Sequence, residues 1–428
     1  MEKFLPDGNI AQDAIDLLQS CIRVDTTNPP GNEIVLAELL ESWFNQLGSN
    51  LISTRIVETG KDRGNLIVII KGKHPDDNPT YGFASHLDVV PVTEEEWDHP
   101  PFGGKVVQLE HDKFVYGRGA LDMKTTGVQY AIAIKTLLEE GFQPKGDIKL
   151  IFEADEEKGG HEGLEKLVND HWDLVKVDFL ITEGGGFKFP LKDDMVIQIG
   201  EKGKAQTALK AKGIFGHGST PGNYNKFALY ELVRVLEKIR KRKPRLFLGP
   251  EYKATLDAIS LPCVIKALLK IKQFIPSLVS LGGKLMKQDL KKVFIPLISD
   301  TIAPTIIRSG NKENVISPNA ELTLDIRTLP GHTRPFINQM LERIIGKQLF
   351  EELEVIPIDD IDATTTPPGT EFYHQIEETM REIYPGVNLV PVLIVGSTDM
   401  RYYRKKGITC YGFVPLLKDE DVTWGELA

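Results

Sequence analysis

Three apolar runs in this chain each end in residues that can hold a metal or move a proton. Residues 81–85 lead into His86-Leu87-Asp88, residues 148–154 into Asp155-Glu156-Glu157, and residues 177–182 into Glu183-Gly184-Gly185-Gly186. A further apolar run covers 65–71, and helical patterns at 126–140 and 161–169 alternate with these runs. Alternation of this kind implies an α/β fold, a mostly parallel sheet with helices on both faces. Ligands of such sheets bind beyond the carboxyl ends of the strands. All three polar stretches fall at that edge, where core packing alone has no use for them.

Upstream, residues 9–23 place Ile10, Ala14, Leu17, Leu18, Cys21 and Ile22 on one helical face, and residues 33–47 repeat the period. Between them Asp25-Thr26-Thr27-Asn28-Pro29-Pro30-Gly31 reads as a rigid turn, because the prolines fix φ and restrict their predecessors. Near Gly203 the texture changes: 206–212 and 319–327 alternate like strands, and 225–243 reads as a helix with a basic end. A length of 428 residues suits two domains. The expected organisation is one domain over 1–201 and 330–428, a smaller α+β domain inserted over 202–329, and a hinge at Pro330-Gly331.

Within the insert, residues 264–298 mix Leu268, Leu269, Ile271, Phe274, Ile275, Leu278, Val279 and Leu281 with Lys266, Lys270, Lys272, Lys284 and Lys287. Such a stretch could lie on a membrane surface. A helical hairpin packed on its own domain, interrupted by Pro276 and Gly282-Gly283, is the expected form, so a membrane partner is not expected.

The formal charge of −10 and pI near 5.5 argue against a general nucleic-acid binder, whose affinity comes from clustered Lys and Arg. Met1-Glu2-Lys3-Phe4-Leu5-Pro6-Asp7-Gly8 has neither the apolar core nor the small-residue cleavage site of a secretory signal. No apolar run approaches a membrane span. Cys21, Cys263 and Cys410 make no metal or redox spacing, so free thiols in a reducing cytoplasm are expected.

A two-metal hydrolase centre needs a carboxylate shared by both ions, further His, Asp or Glu ligands, and a base. His86 offers an imidazole, and Asp88, two residues on, can orient its ring. Asp122 follows Gly117 and Gly119, which let the backbone turn sharply and aim a carboxylate inward. It is the natural bridge. Glu156 and Glu157 are neighbours that cannot easily make the same contact, so one can ligate while the other serves as general base. Glu183 completes the set. Taken singly, a carboxylate at a strand end is more often a helix cap or a solvated turn, and a single histidine there is usually structural. The conjunction of His-x-Asp, Gly-x-Gly-x-x-Asp, Asp-Glu-Glu and Glu-Gly-Gly-Gly on successive strand ends is what separate caps rarely reproduce. His74, His99, His111, His161, His171, His332 and His374 stay as surface or packing residues.

With these motifs the chain resembles the co-catalytic zinc aminoacylases and exopeptidases that include carboxypeptidase G, acetylornithine deacetylase and succinyl-diaminopimelate desuccinylase. The resemblance rests on Ser85-His86-Leu87-Asp88-Val89-Val90-Pro91, Gly117-Arg118-Gly119-Ala120-Leu121-Asp122-Met123-Lys124, Asp155-Glu156-Glu157-Lys158-Gly159-Gly160, Gly216-His217-Gly218-Ser219-Thr220-Pro221 and Gly396-Ser397-Thr398-Asp399. It implies a zinc-exopeptidase-like fold in which His86 and Glu183 bind one metal, Glu157 the other, and Asp122 both. Glu156 is then the base, and a cis peptide follows Asp122. It also implies that 1–201 and 330–428 form the catalytic domain, that the insert 202–329 is its lid or dimerisation domain, and that His217 polarises the scissile carbonyl, commonly across a homodimer formed by that lid. Arg327 can fork onto a substrate carboxylate or make a plain strand salt bridge. Asn314 and the Gly396-Ser397-Thr398 turn can add hydrogen bonds.

One departure stands out. The family pattern continues past Tyr411-Gly412-Phe413-Val414-Pro415 to a histidine that ligates the second metal, whereas no histidine follows His374 here. The expectation is that the natural product extends past Ala428. The leading reading is a zinc hydrolase, with cobalt or manganese as other candidates, that cleaves an amide beside a free carboxylate in a small peptide or N-acyl amino acid. The alternative is a non-catalytic or single-metal binding protein on the same scaffold.

Overall fold

The computed structural model describes residues 8–109, 112–188, 194–286 and 290–415. The reading of the first residues as lacking a signal, the assignment of His111, and the stretch 421–428 lie outside the described residues. The chain divides into two compact units. One takes the residues up to Ile199, Thr366–Pro391 and those from Thr398 on; the other takes Gly200–Thr365 with Val392–Ser397.

The first unit is built on a sheet ordered Ile52–Gly60, Arg63–Ile70, Ile148–Glu153, Tyr81–His86, Phe179–Thr182, Thr409–Gly412, Asp194–Glu201. Its four middle strands, from Ile148–Glu153 to Thr409–Gly412, run parallel, as the alternation of strands and helices implies. Residues 65–71 behave differently. With Ile52–Gly60 they form a hairpin that turns through Asp62 at φ 61°, so this strand lies antiparallel to Ile148–Glu153. The partner strand mixes Arg55 and Glu58 into its apolar positions and gives little periodic signal.

Successive side chains of a strand point to opposite faces, and each face has its own cover. Leu66, Val68, Leu150 and Phe152 meet Leu17, Ile22, Leu36, Leu40, Phe44 and Ile132 from the helices Gly8–Arg23, Glu33–Gln46 and Lys124–Glu139. Ile67, Ala84, Ile151 and Leu180 meet Leu164, Leu167 and Tyr403 from the helices Leu164–Asp170 and Met400–Lys405. The strand ends are thereby held rigidly from both sides.

The second unit carries an antiparallel sheet ordered Thr301–Ser309, Asn319–Thr328, Gly203–Lys212, Glu354–Ile361. Leu209, Leu322 and Leu324 are packed by Leu232 and Val235 of the helix Ala228–Lys241 and by Ile337 and Leu341 of the helix Arg334–Ile345. The boundary expected after Leu329 is therefore displaced. Pro330-Gly331, with Gly331 at φ 80°, turns the chain back over the same sheet, and residues 330–365 stay in this unit.

The basic and apolar stretch forms the helices Cys263–Leu269, Ile275–Met286 and Leu290–Leu297. Pro276 and Gly282-Gly283 do not break it. Pro276 occupies the first turn of Ile275–Met286, where a missing N–H is tolerated. Ile275, Val279 and Ile298 are buried against Leu246, Leu248, Tyr252 and Phe294. No helix among the described residues is long and apolar enough to cross a membrane.

Fully buried Lys202 closes this helical stretch onto its sheet, donating Nζ hydrogen bonds to the carbonyls of Pro296 at 3.1 Å and Ser299 at 2.8 Å. Burial pushes its amine down from 10.5 to about 8, partly opposed by Asp300. A lowered amine penalises the charged folded form below pH 8, so stability rises as pH climbs from about 8 to 10.5, by on the order of 3 kcal/mol at most. Urea unfolding of the protein and of Lys202→Met across that range checks this: the rise is expected in the parent and absent from the variant.

Candidate metal centre

His86 ends the strand Tyr81–His86, in register with Glu153 at the end of its parallel neighbour. Its ring is buried. Nδ1 lies 2.9 Å from the backbone oxygen of Asp88 and 3.6 Å from the Asp88 carboxylate, which fixes the ring and turns Nε2 outward. Nε2 lies 2.9 Å from Asp122 Oδ1 and 4.0 Å from Glu183 Oε2. Burial opposes charge on this ring, but the hydrogen bonds its N–H groups donate to Asp122 and Asp88 outweigh it and hold the imidazole well above its ordinary pKa.

Asp88 does more than orient a ring. Its carboxylate accepts the Asn28 amide at 2.7 Å and the backbone N–H groups of Glu156 and Glu157, both at 3.1 Å. Burial works against its charge, yet these donors and His86 hold it below the usual carboxylate range. The turn Glu156–Lys158 begins at Asp155, which sits at φ 70° and accepts from Asn28 at 3.0 Å and from the Glu162 N–H at 2.8 Å. Arg63 braces the same turn, reaching Asp155 at 3.3 Å and Asn28 at 2.8 Å while also pairing with Glu33.

Asp122 stands just before the helix Lys124–Glu139. Gly119 has φ 82°, and a side chain there would press on Val89, so the turn that presents Asp122 needs glycine. The Asp122-Met123 peptide is cis, as the resemblance implies. Lys124 fastens the helix start through the carbonyls of Cys21 at 3.0 Å and Val24 at 2.8 Å. Behind Glu183, Gly184 has φ 100° and passes Gln198 so closely that a Cβ would fall 1.6 Å from its Oε1.

The outcome is two overlapping groups whose ligand atoms lie within 4.8 Å of one another: His86, Asp122 and Glu157, and His86, Glu156 and Glu183. His86 is common to both groups, whereas Asp122, the expected bridge, falls in one of them. Burial, with repulsion from neighbouring carboxylates, pushes Glu183 up to about 8, Glu157 to about 7, and Glu156 well above its ordinary value. Four carboxylates crowded around one imidazole need added positive charge to ionise together. Hard or borderline divalent ions suit that mixed oxygen and nitrogen set.

Two features escaped the sequence reading. Glu153 is buried beside His86 and shares the upward shift, caused first by burial and then by Asp399. Asp399 is buried and paired with Arg401 at 3.1 Å, and Arg401 also binds the carbonyls of Thr398 at 2.7 Å and Gly159 at 2.5 Å. Glu153 reads as an ordinary strand residue. Asp399 was visible in its Gly-Ser-Thr-Asp motif, although no role followed from the motif alone.

In the second unit, His217 and Asn314 meet on the paired segments Gly216–His217 and Val315–Ile316, with Asn314 Nδ2 3.3 Å from His217 Nε2. His217 Nδ1 is held by Ser219 Oγ at 2.7 Å. Arg327 takes the plainer of its two expected forms, an ion pair with Asp325 at 3.0 Å. His332 is a packing residue, bonded to Asp300 at 2.8 Å and stacked on Phe336.

Residues 82–422 match the model of peptidase family M20/M25/M40. The chain belongs to this family. Over 369 residues it is 29% identical to N-fatty-acyl-amino acid synthase/hydrolase PM20D1 of Mus musculus, covering 81% of this chain and 69% of that protein. It is 25% identical to aminoacylase-1 of Sus scrofa over 417 residues, 94% of this chain and 87% of the other. Its fold matches an M20 family metallo-carboxypeptidase from Sulfolobus solfataricus with TM-score 0.67 at 20% identity, covering 94% and 91% of the two chains. This M20 chain is thus a hydrolytic enzyme on a mixed α/β scaffold, from a family of metal-dependent enzymes.

Two measurements probe the centre. Because Glu157 and Glu183 carry protons up to about pH 7 and 8 in the metal-free cluster, zinc uptake is expected to release protons and to weaken as pH falls from 8 to 6. Calorimetry in two buffers of different ionisation enthalpy reads this; proton release independent of pH would contradict it. Asp88→Ala, which frees both the His86 ring and the Glu156–Glu157 backbone, is expected to weaken zinc by about 10- to 100-fold in chelator competition.

Proposed function

We propose that this M20 chain is a zinc-dependent amidohydrolase that cleaves an amide beside a free carboxylate, with N-acyl amino acids as preferred substrates and short peptides as secondary ones. The observation that carries the proposal is the convergence of His86, Asp122, Glu156, Glu157 and Glu183 to within 4.8 Å in two overlapping groups. Two relatives' names, N-fatty-acyl-amino acid synthase/hydrolase and aminoacylase-1, support the acyl class, and a third, probable carboxypeptidase S-like 2, supports short peptides as the secondary one.

In this reading His86, Asp122, Glu157 and Glu183 hold the ions. Divalent ions bound there supply Lewis acidity, polarising the scissile carbonyl and making water acidic enough to react near neutral pH. Glu156 takes the proton of the attacking water and returns it to the leaving amine. Its burial and raised affinity for protons match a base that must hold one between the two steps. His217 accepts the Ser219 N–H on Nδ1 and so carries its proton on Nε2, which donates to the carbonyl oxygen, in place of its contact with Asn314, as charge develops there. Arg327 binds the substrate carboxylate after exchanging Asp325 for it, and the Gly396-Ser397-Thr398 turn adds backbone donors. A cytoplasmic site of action and a homodimer through the smaller unit belong to the same proposal.

Turnover of an N-acyl amino acid and dipeptide panel with added zinc, cobalt or manganese tests it. Glu156→Gln is expected to keep its metal and lose at least 100- to 10,000-fold in kcat. A parent that binds metal and turns over nothing on the panel would leave a binding protein as the reading.

A further inference from the structure

Residues 262–274 are thirteen consecutive positions of which none is buried, although they include the helix Cys263–Leu269, six of whose seven residues are apolar. Val264 is 72% exposed, and Ile265, Ile271 and Phe274 are also exposed. The next helix, Ile275–Met286, seats Ile275 and Val279 in a local core and leaves Leu281 56% exposed. The segment therefore has a buried anchor and a separate apolar surface that the fold leaves to solvent. Large apolar side chains left exposed along one segment, rather than scattered singly over the surface, point to an interaction site.

Charge identifies the partner. Residues 262–286 carry Lys266, Lys270, Lys272 and Lys284 and no Asp or Glu, in a chain whose formal net charge is −10. Lys270 is partly neutralised by Asp257 at 3.2 Å, and Lys266 donates to the Asp257 carbonyl at 2.7 Å. Lys272 and Lys284 are exposed. Exposed aliphatic and aromatic side chains interspersed with lysines are the composition of an element that rests in the headgroup layer of an anionic bilayer. A second copy of the chain fits worse, because two-fold packing of the patch on itself would set lysines against lysines.

We propose that the segment 262–286 docks this protein on anionic lipid surfaces, with Val264, Ile265, Ile271, Phe274 and Leu281 entering the acyl boundary and Lys272 and Lys284 meeting lipid phosphates and carboxylates. In this arrangement the attachment through 262–286 is peripheral and reversible by salt. Each lysine near the surface contributes about fivefold to partitioning, and each fully inserted apolar side chain about tenfold or more.

Flotation of the full chain with vesicles decides it, using phosphatidylcholine alone and phosphatidylcholine with about one third phosphatidylserine. The expected result is flotation with the anionic vesicles, reversal at high salt, and little flotation with phosphatidylcholine. Val264→Asp with Ile271→Asp, and separately Lys272→Gln with Lys284→Gln, should each lower vesicle affinity by at least tenfold while thermal unfolding is unchanged. Leu229→Asp, an exposed apolar position on another helix of the same unit, should bind as the parent does. No flotation with anionic vesicles, equal flotation with both, unchanged binding in the paired variants, or self-association abolished by Val264→Asp would each overturn the proposal.

Discussion

The candidate centre depends on a single buried carboxylate that is expected to bind no ion. Asp88 leaves the strand Tyr81–His86, and its two oxygens take the backbone N–H groups of Glu156 and Glu157 together with the Asn28 amide. Its own carbonyl meets the His86 ring. One residue thus fixes the azimuth of the imidazole and the position of the turn that carries two glutamates. A charged acceptor with three good donors is among the stronger interactions a fold can bury, and removing it would take from the Glu156 and Glu157 N–H groups their carboxylate partner and leave the Asn28 amide with Asp155 alone. Arg63, Glu33 and Asp155 stand behind Asn28 and hold that donor in place.

Carboxylates packed this closely are unfavourable in the absence of cations. Glu153, Glu156 and Glu183 are pushed toward their protonated forms by burial and by neighbouring carboxylates, Asp399 and Asp122 among them, with His86 the offsetting charge. A fold that selected only for stability would replace several of them with apolar groups of similar size. Their retention at strand ends, held by rigid turns instead of loose loops, is the signature of a site preorganised for charge that arrives from outside. The same arrangement links metal uptake to proton loss, because the ions and the protons compete for the same oxygen atoms.

Legibility from sequence divided along the range of the interactions. The strand-end positions of His86, Glu156 and Glu183 follow from local apolar runs, since a run of five or six residues ends where the sheet ends. The parallel centre of the sheet follows from the alternation with helices. By contrast, the hairpin of Ile52–Gly60 with Arg63–Ile70 was hidden, because its outer strand carries charges at irregular intervals and its turn depends on a non-glycine residue at positive φ. The end of the smaller unit was misplaced for a related reason. Pro330-Gly331 signals a turn correctly, yet a turn does not reveal whether the chain leaves a domain or folds back over the same sheet. Only the pairing of Glu354–Ile361 with Gly203–Lys212, some 150 residues earlier, settles that. Long-range partners such as Asn28 with Asp88, or Glu153 with Asp399, leave no periodic trace at all.

The segment 262–286 shows why composition must be read together with burial. Its apolar content predicts packing, and the packing is real where Ile275 and Val279 enter the local core. Yet a helix buries one face, and a segment apolar on more than one face has surface left over once that face is satisfied. In Cys263–Leu269 no residue is buried at all, so the remainder is larger than the anchored part. Lys272 and Lys284, exposed in a segment with no Asp or Glu of its own, then give that surface a sign opposite to the protein as a whole. An apolar surface of the wrong charge for its own chain is best matched by an apolar medium with a negative boundary, which is the physical description of an anionic membrane face.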